Sequence, residues 1–178
     1  EIQKVRKGQI NLNYGEMKCE SAVNISLVAR ASKARIEWAG AIDLDSKRDD
    51  ITIEEVGIIR GSSYFSDIKV SSLKKEAGLA TKYGNFSVNS LDAAFSLIDL
   101  NTSYTDVDFY VEAKSSYDLE IRHTNAFVSL PGITPEPERT TVNAESKIYL
   151  TSGKYGNSPD NSRIRIEATR GEIRIVQK

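Results

Sequence analysis

The chain of 178 residues has one cysteine, Cys19, and one histidine, His123. A lone thiol cannot close an internal disulfide, and one histidine with one cysteine gives a structural zinc site little to build on. Metal and redox chemistry therefore have no anchor, and no cofactor is expected. No apolar run approaches the ~18 residues that a membrane-spanning helix needs. Neither sign of charge is in excess. The 24 Lys plus Arg against 25 Asp plus Glu leave a formal net charge of -1, so there is no basic field to draw in nucleic acid or an anionic membrane. Proline is scarce, at 4 residues, yet the only 3.6-period stretch is a weak one around Ala29 to Trp38.

What is present is alternation. A hydrophobic fraction of 39% with 28% charged residues excludes disorder, and the length suits one domain, residues 1–178, around one core. A single template recurs: apolar or small, any, apolar, six mostly polar residues, then apolar, any, apolar. The clearest copies are Ile42, Leu44, Ile51, Ile53; Ile98, Leu100, Val107, Phe109; Leu119, Ile121, Val128, Leu130; and Ile164, Ile166, Ile173, Ile175. Looser copies are Gly8, Ile10, Met17, Cys19; Ile25, Leu27, Ala34, Ile36; Ile59, Gly61, Ile68, Val70; and Ala77, Leu79, Phe86, Val88. They start at residues 8, 25, 42, 59, 77, 98, 119 and 164, at intervals of 17, 17, 17, 18, 21, 21 and 45.

Alternation puts each apolar pair on one face of a strand, and the six-residue spacer turns the chain. So narrow an apolar face cannot be buried within one copy, so neighbouring copies must cover it. Two all-β architectures do this. One is a single-stranded parallel β-solenoid (β-helix) of about eight rungs of 17–21 residues, each ~4.8 Å above the last. The other is an antiparallel meander or sandwich. Equivalent spacer positions favour the solenoid, because stacking places them above one another. The second spacer position carries Ser46, Ser63, Thr81, Thr102 and His123. The fourth carries Arg48, Phe65, Tyr83, Tyr104 and Arg170. The expected core is Leu44, Ile51, Ile53, Leu79, Phe86, Val88, Leu100, Val107, Phe109, Ile121, Val128, Ile166 and Ile173.

Candidate sites compete with plainer roles. The last spacer position is acidic or amide at Asp50, Asp67, Asn85, Asp106 and Glu172. Stacked carboxylates can hold calcium, but an Asp or Asn at a corner ordinarily accepts a backbone N–H, and Lys33 at the equivalent position breaks the charge. Trp38, Tyr64, Tyr83, Tyr104, Tyr110 and Tyr117 offer flat faces to a sugar or a protein, or else stack on each other. His123 lies in a column of hydroxyls with no Gly-x-Ser-x-Gly elbow in the chain, which reads as structural hydrogen bonding. Asp49 with Asp50 is a carboxylate pair of the type glycosidases use, but one expected by chance among 25 acidic residues. Cys19 falls at an apolar template position and reads as a buried small hydrophobe.

The phrases Lys82-Tyr83-Gly84-Asn85-Phe86-Ser87-Val88, Ser103-Tyr104-Thr105-Asp106-Val107-Asp108-Phe109 and Thr169-Arg170-Gly171-Glu172-Ile173-Arg174-Ile175 resemble the bacterial putative-adhesin family of β-solenoid domains, common among exported proteins of gut Bacteroidetes. The resemblance covers most of residues 59–178. Arg48, Asn125 and Arg170 depart from the aromatic fourth position. It implies export and a cell-surface, outer-membrane-associated or periplasmic setting, and no catalytic residue. Residues Glu1 to Gly8 do not read as a secretory leader.

These readings converge on a non-enzymatic, exported, adhesin-like module whose partner is a surface glycan or protein. The alternative is a carbohydrate-active enzyme, a polysaccharide lyase or hydrolase, on a β-helix. Candidate contact residues are Tyr83, Tyr104 and Asp106, with Tyr149 and Tyr155 from an insertion at about 131–162. That insertion carries Pro131, Pro135, Pro137 and Pro159, and Ile148 with Leu150 suggests a short strand inside it. Residues 131–147 are expected to leave the stack, and part of the insertion to cover a side or end near the Ile164 to Ile175 copy.

Overall fold

A computed structural model describes residues 1–158 and 161–178. Pro159 of the turn-rich insertion lies outside the described residues. The described elements are β1 (Ile2–Asn13), β2 (Glu16–Arg30), β3 (Lys33–Lys47), β4 (Asp50–Leu91), β5 (Leu97–Val111), β6 (Tyr117–Ser129), β7 (Glu138–Asn143), β8 (Ile148–Tyr155) and β9 (Arg163–Gln177), with no α-helix among the described residues. They form one open, mixed sheet in the order β1-β2-β3-β4-β5-β9-β6-β8-β7. Pairing from β1 through to β6 is parallel. Only β6 with β8 and β8 with β7 are antiparallel, so the antiparallel alternative describes that end alone.

Register follows the intervals of the sequence. Ile25 pairs with Ile42 and Ile42 with Ile59, each 17 residues on; Ala77 pairs with Ile98, which is 21 on. β4 runs for 42 residues, a path of about 140 Å if straight. It bends instead, with Phe65 and Tyr83 at positive φ along it.

Every residue of the expected core is buried. The driving force is the apolar pairs of neighbouring copies closing over each other, at about 25 cal/mol per Å² of apolar surface removed from water. Two further inward columns accompany them. Ala22, Ala39, Val56, Leu73 and Leu91 are all buried, each three residues from an inward template position, a step that turns the chain, and Val111 continues their column by pairing with Leu91 across a register shift. Ser32, Asp49, Ser66 and Thr105 at the fifth spacer position are buried polar groups.

The first three of those polar side chains knit adjacent copies together. Asp49 accepts hydrogen bonds from Ser32 N at 2.8 Å, Ser46 Oγ at 2.6 Å and Lys47 N at 2.6 Å. Ser66 Oγ accepts from Ser46 Oγ at 2.9 Å and Asp49 N at 3.1 Å. Where the fifth position is Gly84 or Gly171 the corner is built differently. Gly84 has φ +137°, and a Cβ there would stand 2.1 Å from the Ser66 carbonyl oxygen, so only glycine fits.

One placement departs from chain order. The Ile164 to Ile175 copy was expected at the end of the series, after the Leu119 copy. Instead β9 lies between β5 and β6, with Ile98 paired to Ile164 and Leu119 to the same Ile164. All three strands carry the same template, so nothing local dictates which two neighbours β9 takes. The short strand at Ile148 and Leu150 is β8, and it lies antiparallel on β6, with Ile121 opposite Thr151. β7 and β8 thus lie along the outer edge of β6, while the start of the insertion meets the end of the final copy, where Gln177 N donates to the Pro131 carbonyl at 3.3 Å.

Candidate functional site

The fourth spacer position is where the corner takes its shape. Tyr14, Ala31, Arg48, Phe65, Tyr83, Tyr104, Asn125 and Arg170 all have φ between 50° and 62°. This left-handed conformation is uncommon outside Gly, Asn and Asp. Here six of the eight positions hold aromatic or arginine side chains, and the turn aims them outward. Tyr14 N, Ala31 N and Arg48 N each donate to a carbonyl of the next copy, at Arg30, Lys47 and Tyr64, all at 2.9 Å. Parallel register then sets each side chain one strand spacing from the next.

Three aromatic rings in this column touch. Phe65 and Tyr83 stack at 4.6 Å between centroids and 11° between planes; Tyr83 and Tyr104 follow at 5.0 Å and 30°. Because β9 sits beside β5, the next member is Arg170, whose guanidinium lies 4.9 Å from the Tyr104 ring centroid. Tyr64 meets Phe65 edge-on at 4.6 Å and Tyr83 at 5.7 Å. Lys82 Nζ lies 5.4 Å from the Tyr83 centroid, and Lys47 Nζ 5.8 Å from that of Tyr64. Such cation–π contacts are worth about 0.5–1 kcal/mol at exposed sites. The signal for the cationic partners was present in the sequence, since Arg170 holds the same spacer position as Tyr104. It becomes legible only once β9 is placed next to β5.

This packing limits what the corner can bind. Both faces of Tyr83 are covered, by Phe65 and Tyr104, and Tyr104 is covered by Tyr83 and Arg170. What solvent meets is a strip of ring edges, phenol hydroxyls and cationic heads. Asp106 lies one residue beyond the corner at Thr105, exposed, and its Oδ1 accepts the Glu172 N–H at 2.8 Å. Asn85 Nδ2 donates to Asp67 Oδ1 at 2.7 Å. The Asp106 contact is the acceptance of a backbone N–H expected of such residues, while the Asn85 contact joins two side chains of adjacent copies. Among the described residues no group of three or more His, Cys, Asp or Glu could hold a metal ion.

The other candidates fall elsewhere. Tyr149 is 40% exposed on β8 and its ring lies 5.6 Å from that of His123. Tyr155 is not a surface anchor: it is 2% exposed, packed 5.1 Å from Tyr117, which is itself 0% exposed and 6.1 Å from Phe95. β8 pairs Tyr155 directly with Tyr117, which turns both rings inward and takes Tyr117 out of the set of exposed faces. Neither hydroxyl has a hydrogen-bond partner, and burial raises the pKa of both, with Tyr155 adding to the rise at Tyr117. His123 Nδ1 meets the Ala126 carbonyl at 3.2 Å. Asp49 points inward while Asp50 is exposed, so these two carboxyls do not flank a common space. Cys19 is fully buried, and that burial pushes its thiol up. No helix among the described residues is long and apolar enough to cross a membrane.

No protein-family model matches the chain, the adhesin family of the motif resemblance included, and no curated protein matches it. Among solved structures, a "putative cell adhesion protein" from Clostridium sporogenes is similar at 15% identity and a TM-score of 0.36, over 97% of this chain and 93% of that one.

Proposed function

We propose that this chain is a non-enzymatic structural or adhesin-like module of a bacterial cell envelope, coiled as a single-stranded parallel β-solenoid of about eight rungs and exported to the surface or periplasm. The observation that carries the reading is the parallel register that aligns equivalent positions and so assembles the row Phe65, Tyr83, Tyr104 and Arg170. A row of that kind is an extended, repetitive surface, suited to a partner that is itself extended. Its contact groups are the hydroxyls of Tyr83 and Tyr104 with the Lys82 and Arg170 cations, and Asp106 at its margin. Ring edges and hydroxyls recognise a polar, hydroxyl-rich surface by hydrogen bonding, so a glycan or a polar protein surface is the partner class.

The test is a panel of plant and host glycans and immobilised surface proteins, each scored for binding and for cleavage. Binding that falls at least tenfold in a Tyr83→Ala/Tyr104→Ala double variant supports the reading. Release of new reducing ends or unsaturated products from any glycan would overturn it in favour of a lyase or hydrolase, and binding unaffected by the double variant would remove the corner from the site.

A further inference from the structure

The fourth-position column has one gap. In order along the sheet its members are Tyr14, Ala31, Arg48, Phe65, Tyr83, Tyr104, Arg170 and Asn125. Seven of these carry a planar group: a ring, a guanidinium or an amide. Ala31 carries a methyl. Its neighbours on either side are Tyr14 and Arg48, two strand spacings apart, which is about 9.6 Å. In the filled part of the same column successive centroids are 4.6 and 5.0 Å apart. One flat group placed over Ala31 would therefore restore the spacing on both sides.

The structure has a recess at that point. It measures about 470 Å³ and is lined by Tyr14, Ala31, Arg48 and Phe65 with the polar corner residues around them. The recess is open to solvent, so space does not restrict entry. Both walls are free to engage a guest. Tyr14 is 87% exposed, and among the described residues neither its ring nor the Arg48 guanidinium has a ring, cation–π or ion-pair partner. The Tyr104 to Arg170 contact at 4.9 Å shows that this column accepts guanidinium-on-ring stacking.

The geometry points to a binding slot for a single aromatic ring at Ala31, sandwiched between the Tyr14 ring and the Arg48 guanidinium. The ligand class is an aryl group, carried by a small molecule or by the side chain of a partner polypeptide. A ring is favoured over a saturated group of equal size because stacking and cation–π attraction both need a π face. The slot does not depend on the envelope reading, since it concerns a different stretch of the corner from the Tyr83 and Tyr104 hydroxyls.

The Ala31 methyl reports the guest directly, because a ring seated over it shifts its NMR signal upfield. The probes are phenol, the tripeptide Gly-Tyr-Gly, and cyclohexanol as a non-planar control. A saturable upfield shift with phenol or the tripeptide, and none with cyclohexanol, is expected. Tripeptide binding at least tenfold tighter than phenol assigns the slot to a protein side chain; equal or weaker binding assigns it to a free aryl compound. Ala31→Phe should fill the slot from within, since Phe65 holds a ring at φ 54° where Ala31 has φ 50°. It should weaken aryl binding at least tenfold, measured on the Tyr14 ring signals, while keeping or raising the melting temperature. Tyr14→Leu removes one wall and should weaken binding at least fivefold, independently of how Ala31→Phe folds. No saturable shift with either aryl probe, an equal response to cyclohexanol, or undiminished binding in Tyr14→Leu would overturn the assignment.

Discussion

Replacing Asp49 tests whether the corners are held by buried polar bonds or only by the apolar core beneath them. Asp49 is 5% exposed and accepts from two backbone N–H groups and one hydroxyl. In Asp49→Ala, Ser32 N loses its acceptor in a buried setting, a cost of about 1–3 kcal/mol, and the partly buried Lys47 N adds about 1 more. Ser46 Oγ keeps an alternative partner in Ser66 Oγ at 2.9 Å, so its share is small. The expected loss is thus about 2–4 kcal/mol, which lowers Tm by roughly 5–15 °C in a domain of this size. Asp49→Asn retains one acceptor but turns an amide donor toward Lys47 N or Ser32 N, so about half the loss should remain. Urea denaturation followed by circular dichroism measures both variants, with the slope m expected to stay constant. An Asp49→Ala protein within about 0.5 kcal/mol of the parent, the size of an ordinary surface substitution, would show that water replaces the carboxylate and that the network contributes little.

Val107 is 1% exposed, paired with Phe86 on one side and Ile173 on the other; Val107→Asp places an unpaired charge there and should abolish the cooperative unfolding transition. Gly84→Ala drives a Cβ to 2.1 Å from the Ser66 carbonyl oxygen at φ +137° and should cost about 3 kcal/mol or more in the same urea assay, whereas Gly8→Ala, whose Cβ meets nothing nearer than 3.6 Å, should be near neutral. His123 is held below its ordinary value of 6.5 chiefly by burial, against the Ala126 carbonyl contact and with a smaller push from Arg139. The unfolded chain therefore takes up this proton first, so the stability that the neutral ring contributes is complete above about pH 6.5 and is lost as pH falls through the lower folded value. An imidazole NMR titration with a midpoint at or above 6.5 would contradict this.

The apolar pairs were legible because both members of each pair are apolar and two residues apart, as at Ile51 and Ile53 or Val107 and Phe109. The column Ala22, Ala39, Val56, Leu73 and Leu91 escaped because it is entered by a three-residue step, which breaks the alternation that a strand pattern looks for. Ser32, Asp49 and Ser66 escaped for a different reason: polarity reads as outward, and only their hydrogen bonds to one another's backbone make an inward position tolerable. The left-handed corner was hidden behind Phe65, Tyr83 and Tyr104, whose side chains give no propensity for positive φ; the column agreement marked the position but not its backbone. Tyr155 was misplaced because a tyrosine among Gly153, Gly156 and Asn157 has the local character of a surface turn, and its burial follows from pairing with Tyr117 across an antiparallel ladder.

The seat of β9 has a consequence for how the chain acquires its shape during synthesis. As residues emerge in order, β1 to β5 can add to one another one after the next, each docking on a strand already in place. β6 cannot continue that series, because its parallel partner, β9, is made only after the β7 and β8 hairpin. Until then β5 and β6 both present open edges, about two strand widths apart in the finished sheet, and the insertion of β9 closes both at once. The ladder it forms with β5 joins Leu97 to Arg163, a long loop closure that local structure cannot hasten. A ribosome-stalled chain ending before residue 163 should therefore hold β1 to β5 protected from proteolysis while β6 to β8 remain accessible, and protection of β6 to β8 should arrive only once β9 has cleared the exit tunnel.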